Sequence, residues 1–171
     1  MKKLSVLTLF VILGLVGFGQ KLVKNEHDEF TGKLIKETDV NKLILGGGKM
    51  YYYKLYQWND NCQLILKIVD GKTVESAYEN DILYLKFENG KIFELHNKNF
   101  TVSCVGCGSF GLGCSECIGI ELTYNFTKKD IAQLTESPLV KIRVVLNDKY
   151  LENDINKKRS NTFISALELL K

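Results

Sequence analysis

Four cysteines, Cys104, Cys107, Cys114 and Cys117, form a C-x2-C-x6-C-x2-C array inside a stretch that also holds Gly106, Gly108, Gly111, Gly113 and Gly119. Two mirrored C-x2-C pairs can do three kinds of chemistry. Folded as a hairpin about Phe110 and Gly111, the segment would set Cys104 against Cys117 and Cys107 against Cys114. Nested disulfides would then staple a loop whose glycines make it costly in entropy to order. Four thiolates converging tetrahedrally would instead hold zinc, although a six-residue spacer is shorter than the roughly 12–20 residues usual between such pairs. Pairing within each C-x2-C would give a redox-type dithiol, but no helix start is predicted nearby to lower a thiol pKa. The disulfide staple is the leading expectation. Zinc on Cys104, Cys107, Cys114 and Cys117 is the alternative, and no other cofactor is expected. The fifth cysteine, Cys62, lies between Asn61 and Gln63 before an apolar run; it reads as a small buried hydrophobe, with a bond to another chain as its other use.

A second set of side chains suits binding rather than bond making. Tyr51, Tyr53, Tyr56 and Trp58 crowd one short segment. Amphipathic rings can line a platform for sugars or peptides at modest entropy cost. The plainer reading is a strand whose aromatics cover the core and its margin. Nucleophilic catalysis finds little support. His27 and His96 are the only histidines; the first sits beside Glu26, Asp28 and Glu29, where a mobile segment is expected, and the second ends a predicted strand. Both read as surface residues. No G-x-S-x-G elbow, H-E-x-x-H helix or P-loop occurs, so nothing positive argues for an enzyme.

These residues must be positioned mostly by strands. Asn89-Gly90 separates Ile82–Glu88 from Lys91–His96, predicting a hairpin with a type I′ turn, in which Leu83, Leu85 and Phe87 share one face and Ile92 and Glu94 another. A second hairpin is expected around Asn147-Asp148, between Val140–Leu146 and Lys149–Ile155. Met50–Trp58, Cys62–Val69 and Ile118–Phe126 complete the strands; Gly46, Gly47 and Gly48 form a break, and Asp70-Gly71 a turn. A short helix over Lys128–Glu136 is stopped by Ser137-Pro138. Asn156–Lys171 carries Phe163, Ile164, Leu167 and Leu170 on one stripe, the pattern of an amphipathic helix. The fold class expected is α+β: a mostly antiparallel sheet or sandwich, a short helix and a C-terminal amphipathic helix.

The N-terminus reads as a leader. Lys2 and Lys3 precede an uncharged run from Leu4 to Phe18, and Gly17 and Gly19 bracket Phe18 in the small-x-small pattern of a cleavage site. The run is short for a membrane span, so residues 1–19 are expected to be removed, with no stable anchor left and the product periplasmic or extracellular. Residues 20–171 then form a single domain. Of the formal charge of +3, Lys2 and Lys3 account for two. The remaining near balance argues against nucleic acid as a partner, and a protein or glycan ligand is expected.

Several segments resemble a group of uncharacterised secreted proteins of Bacteroidota-type bacteria. They are the Gly17-Phe18-Gly19-Gln20 leader end, Asp28-Glu29-Phe30-Thr31-Gly32, Gly119-Ile120-Glu121-Leu122-Thr123-Tyr124 and Ser137-Pro138-Leu139-Val140-Lys141-Ile142-Arg143. The resemblance implies export and a β-rich fold ending in a helix. It implies no catalytic residues, and the doubled C-x2-C departs from its pattern. The expectation is therefore an exported, non-enzymatic binding or interaction module with a stapled glycine–cysteine hairpin. The alternative is a zinc-binding or thiol-redox protein centred on the same four cysteines.

Overall fold

Apolar side chains recur at alternate positions through Tyr51, Tyr53 and Leu55 and again through Cys62, Leu64, Leu66 and Ile68. That two-residue period is satisfied by a strand with one face on a core, and these residues form the central hairpin of the molecule. The structure, a computed structural model, describes residues 20–46, 48–69, 74–107, 117–147 and 149–171. The expected leader, the Asp70-Gly71 turn and the loop tip around Phe110, Gly111 and Cys114 lie outside the described residues.

The strands are β1 (Leu22–His27), β2 (Leu34–Thr38), β3 (Asn41–Gly46), β4 (Lys49–Trp58), β5 (Asn61–Val69), β6 (Ser76–Ala77) and β7 (Ile82–Phe87). Then come β8 (Ile92–His96), β9 (Thr101–Val102), β10 (Cys104–Val105) and β11 (Ile118–Thr127). The chain ends with α1 (Asp130–Leu134), β12 (Leu139–Leu146), β13 (Lys149–Asp154) and α2 (Lys157–Glu168). One sheet has the order β1-β2-β4-β5-β11-β10, with β3 beside β4; a second has the order β13-β12-β7-β8; β6 and β9 form a two-stranded ribbon. All described ladders are antiparallel. The expected antiparallel α+β architecture is the one observed.

β2 and β3 run in the same direction along one edge of β4, Glu37 opposite Tyr56 and Asn41 opposite Tyr53. They behave as one strand interrupted at Asp39-Val40. At the break, Leu55 N–H donates to Thr38 Oγ1 at 2.9 Å, so a buried ladder position keeps its partner. The two sheets meet where Asn97, just past β8, bridges to Tyr124 of β11.

A single core cluster joins the inner faces of both sheets: Tyr51, Tyr53, Leu64 and Tyr124 from the first, Leu83, Leu85, Ile142 and Val144 from the second. α2 packs against β3 and β12, so it touches both sheets, and it buries Phe163, Ala166 and Leu167. It starts as its sequence predicts, with Asn156 accepting from Arg159 N–H at 3.0 Å. Its C-terminal carbonyls are met by Lys36, whose Nζ donates to Leu169 O at 3.1 Å.

Both predicted hairpins form, but the first turns differently. Asn89 keeps a negative φ while Gly90 takes +84°, and Gly90 N–H donates to Phe87 O at 3.0 Å. This is a three-residue loop closed by a left-handed glycine rather than a two-residue type I′ turn. Leu83, Leu85 and Phe87 are buried as expected. On β8 the core-facing residues are Phe93 and Leu95, and Ile92 stands 54% exposed beside Glu94 on the outer side. β1 also corrects an expectation. His27 is not in a mobile segment; it pairs with Leu34 at the end of the strand, its Nδ1 3.0 Å from Gly32 O.

Candidate functional site

The outer face of the first sheet is built by the even-numbered residues of β4 and the odd-numbered residues of β5 and β11. Register places Tyr56, Gln63 and Asn125 in one row and Trp58, Asn61 and Thr127 in the next. Gln63 Nε2 donates to Asn125 Oδ1 at 3.1 Å, presenting a fixed pair of amides. Trp58, the only tryptophan, is 44% exposed. It borders a depression of about 470 Å³ lined also by Gln63, Asn125, Thr127 and Lys98. A neighbouring depression of about 400 Å³ shares Asn61 and Thr127 and adds Lys128 and Lys129. The two form one continuous recess at this end of the sheet.

Turns complete that end. In the β1–β2 turn, Asp28 Oδ1 accepts from Thr31 Oγ1 and Thr31 N–H, both at 2.7 Å, and these bonds hold its carboxyl below the usual carboxylate range. Phe30 at the tip is 97% exposed. Lys33 places its ammonium 4.8 Å from the centre of the Trp58 ring, a cation–π contact. Asp130 caps the β11–α1 turn, its Oδ2 accepting from Thr127 N–H at 2.7 Å and Thr127 Oγ1 at 2.8 Å.

The four aromatic residues proposed as a platform are divided between two faces. Tyr51 and Tyr53 are fully buried. Tyr51 Oη accepts from Asn153 Nδ2 at 3.0 Å, and Tyr53 packs edge-on against Phe163 with ring centres 5.2 Å apart. Burial pushes the Tyr53 phenol well above its ordinary pKa. Only Tyr56, half-buried, and Trp58 share the outer face. The platform is therefore smaller than expected and is completed by amides and lysines. Spacing alone contained the reason, because residues three apart on a strand point to opposite sides.

The cysteine expectation is corrected as well. Cys104 and Cys107 are bonded to each other, with Cα atoms 5.3 Å apart, so they do not form the nested bonds to Cys117 and Cys114. Register explains the difference: Cys104 pairs with Gly119 and Val105 with Ile118, two residues out of step with the symmetrical alignment. Gly106 takes a φ of +81°, and Cys107 N–H turns back to Cys104 O at 3.3 Å. Cys117 is likewise in a disulfide. Within the Cys104–Cys107 bond neither sulfur is a thiolate, the form that zinc requires. Among the described residues no three His, Cys, Asp or Glu side chains converge.

Cys62 is free and almost fully buried. Burial pushes its thiol up to about 11, so it stays protonated and unreactive near neutral pH. His27 and His96 are both exposed. On the outer face of the second sheet, Tyr84, Lys86, Lys141, Arg143 and Glu152 line a separate depression. Glu152 pairs with two of the three cations there, accepting from Lys141 at 2.7 Å and from Arg143 Nε at 2.8 Å, which holds its carboxyl below the usual range, while Lys86 has no ion pair among the described residues. Among the described residues no helix is long and apolar enough to cross a membrane. No family model, curated protein or solved structure matches the chain.

Proposed function

We propose that the protein is an exported binding module that holds a saccharide at the recess beside Trp58. One observation carries the reading: a half-exposed indole lies in a concave site beside a hydrogen-bonded amide pair, Gln63 and Asn125. An indole face takes the apolar side of a sugar ring. Amides supply both donors and acceptors for the hydroxyls at its rim. The site is built on paired strands, so its geometry is set before a ligand arrives. Export is supported by the leader-like residues 1–19 and by disulfide bonding, which persists in oxidising compartments.

Trp58→Ala tests the reading. The side chain is half exposed, so the variant is expected to unfold within a few degrees of the parent while losing about tenfold or more in affinity for a bound saccharide, measured by titration calorimetry. An unchanged affinity would overturn it.

A second reading is favoured by a specific feature of the cysteine segment. Cys104 is exposed and bonded to the cysteine three residues on, the pairing used in thiol–disulfide exchange. In that reading an external dithiol attacks this bond, passes through a mixed disulfide and is itself oxidised, leaving Cys104 and Cys107 as thiols.

A further inference from the structure

We infer that the saccharide is acidic, a chain carrying carboxylate or sulfate groups, and that Lys98, Lys128 and Lys129 hold those groups. The inference rests on the Trp58 reading and specifies its ligand. On the outer face of the first sheet Lys54 is paired with Glu37 at 2.8 Å and Lys67 with Glu121 at 3.2 Å, while Lys42, opposite Tyr52, is exposed and has no ion pair among the described residues. At the Trp58 end several such lysines gather. Lys33, Lys98, Lys128 and Lys129 are all exposed, and among the described residues none has a carboxylate within ion-pair distance.

Two acids accompany them. Asp130 is already engaged by Thr127, and Asp60 lines the recess beside Lys128 and Lys129. The local excess is thus positive, on a chain whose charges otherwise nearly balance. Three lysines against two aspartates leave one net positive charge among the lining residues, and in a concave site that excess raises the local concentration of an oppositely charged ligand. Lys98 borders the depression that contains Trp58, and Lys128 and Lys129 border the adjoining one. One sugar on the indole would therefore place its neighbours along the lysines, and a polymer fits better than a single sugar. Single-stranded nucleic acid would draw on the same lysines but needs a succession of open rings for its bases. Among the described residues lining this recess Trp58 is the one open ring, Phe126 being buried.

The experiment uses the whole chain without residues 1–19 and reads the fluorescence of Trp58, the only indole. Polygalacturonate, dextran sulfate and neutral dextran are titrated at low and high salt. The acidic polymers are expected to bind about tenfold or more tightly than dextran and to weaken steeply with salt. A Lys98→Gln/Lys128→Gln/Lys129→Gln variant, melting as the parent does, is expected to lose that advantage, binding the acidic polymers no more tightly than dextran. If dextran binds as well as the acidic polymers and the variant is unaffected, the acidic ligand is wrong and the saccharide reading survives. If no polymer binds in a Trp58-dependent way by calorimetry with Trp58→Ala, the saccharide reading falls with it. Tighter Trp58-dependent binding to oligothymidylate or to anionic phospholipid vesicles would overturn both in favour of those ligands.

Discussion

Tyr51 and Tyr53 stand two residues apart on the same buried face, yet their hydroxyls meet different surroundings. The Tyr51 hydroxyl bonds to Asn153 across the core, whereas those of Tyr53 and Tyr124 have no hydrogen-bond partner among the described residues. A buried hydroxyl left unpaired costs about 1–3 kcal/mol, and a satisfied one contributes about 1 kcal/mol. Tyr53→Phe should therefore be neutral or stabilise the fold by up to about 1 kcal/mol. Tyr51→Phe should cost about 1 kcal/mol, because it strands the Asn153 amide. Urea denaturation of the two variants checks the contrast, and a larger loss for Tyr53→Phe would mean that its hydroxyl is bonded in solution. The sequence carried half of this. Lys54 shares its parity with Tyr56 and Trp58, which sets these three on the face opposite Tyr51, Tyr53 and Leu55. Grouping Tyr53 with Tyr56 ignored that period. The lysines of the recess were invisible for another reason: Lys98, Lys128 and Lys129 come from loops that only the β8–β11 and β5–β11 pairings bring beside Trp58.

Elements with strong alternation and short turns were legible, as the β7–β8 and β12–β13 hairpins show. β1, β2 and β3 were not, because Leu-Val-Lys-Asn-Glu-His and Leu-Ile-Lys-Glu-Thr mix charges into short strands near a sheet margin, where only one or two side chains reach the core. The cysteine segment failed on register, a quantity that symmetry in the sequence could not supply. Its pairing is open to direct test. Phe110 lies between the two C-x2-C pairs. Chymotryptic cleavage there, without reduction, should give peptides that separate if Cys104 is bonded to Cys107. Peptides that remain linked until reduced would restore the nested staple. Four thiols that alkylate only after a chelator has removed zinc would establish the metal site instead. Chain-entropy estimates give a loop this short only about 2 kcal/mol of stabilisation. Because β10 is two exposed residues on a sheet edge, reducing the bond should leave the core folded.

At the scale of the whole molecule, stability depends on joining two sheets that share few backbone pairings. The Asn97–Tyr124 bridge and Lys98 N–H to Thr123 O, at 2.8 Å, tie β8 to β11 on one side. On the other, α2 supplies side chains to both sheets, and Phe163 is its largest buried residue, packed on Tyr53 and 2% exposed. Truncating a core phenylalanine costs about 3–5 kcal/mol, a large share of the roughly 5–15 kcal/mol that holds such a domain. If the sheets fold as one unit, the loss in Phe163→Ala falls on both at once. Trp58 reports the first sheet through its fluorescence, and far-ultraviolet dichroism reports all strands together. The expected outcome is a single transition, shifted to lower denaturant by the same amount in both signals. A fluorescence transition that moved while a second dichroism transition stayed in place would show that the second sheet holds together without α2. The recess beside Trp58 reaches the core at Cys62 and Phe126, but none of its lysines and amides is buried. A binding site placed there can change its lysines and amides without disturbing the core that positions them.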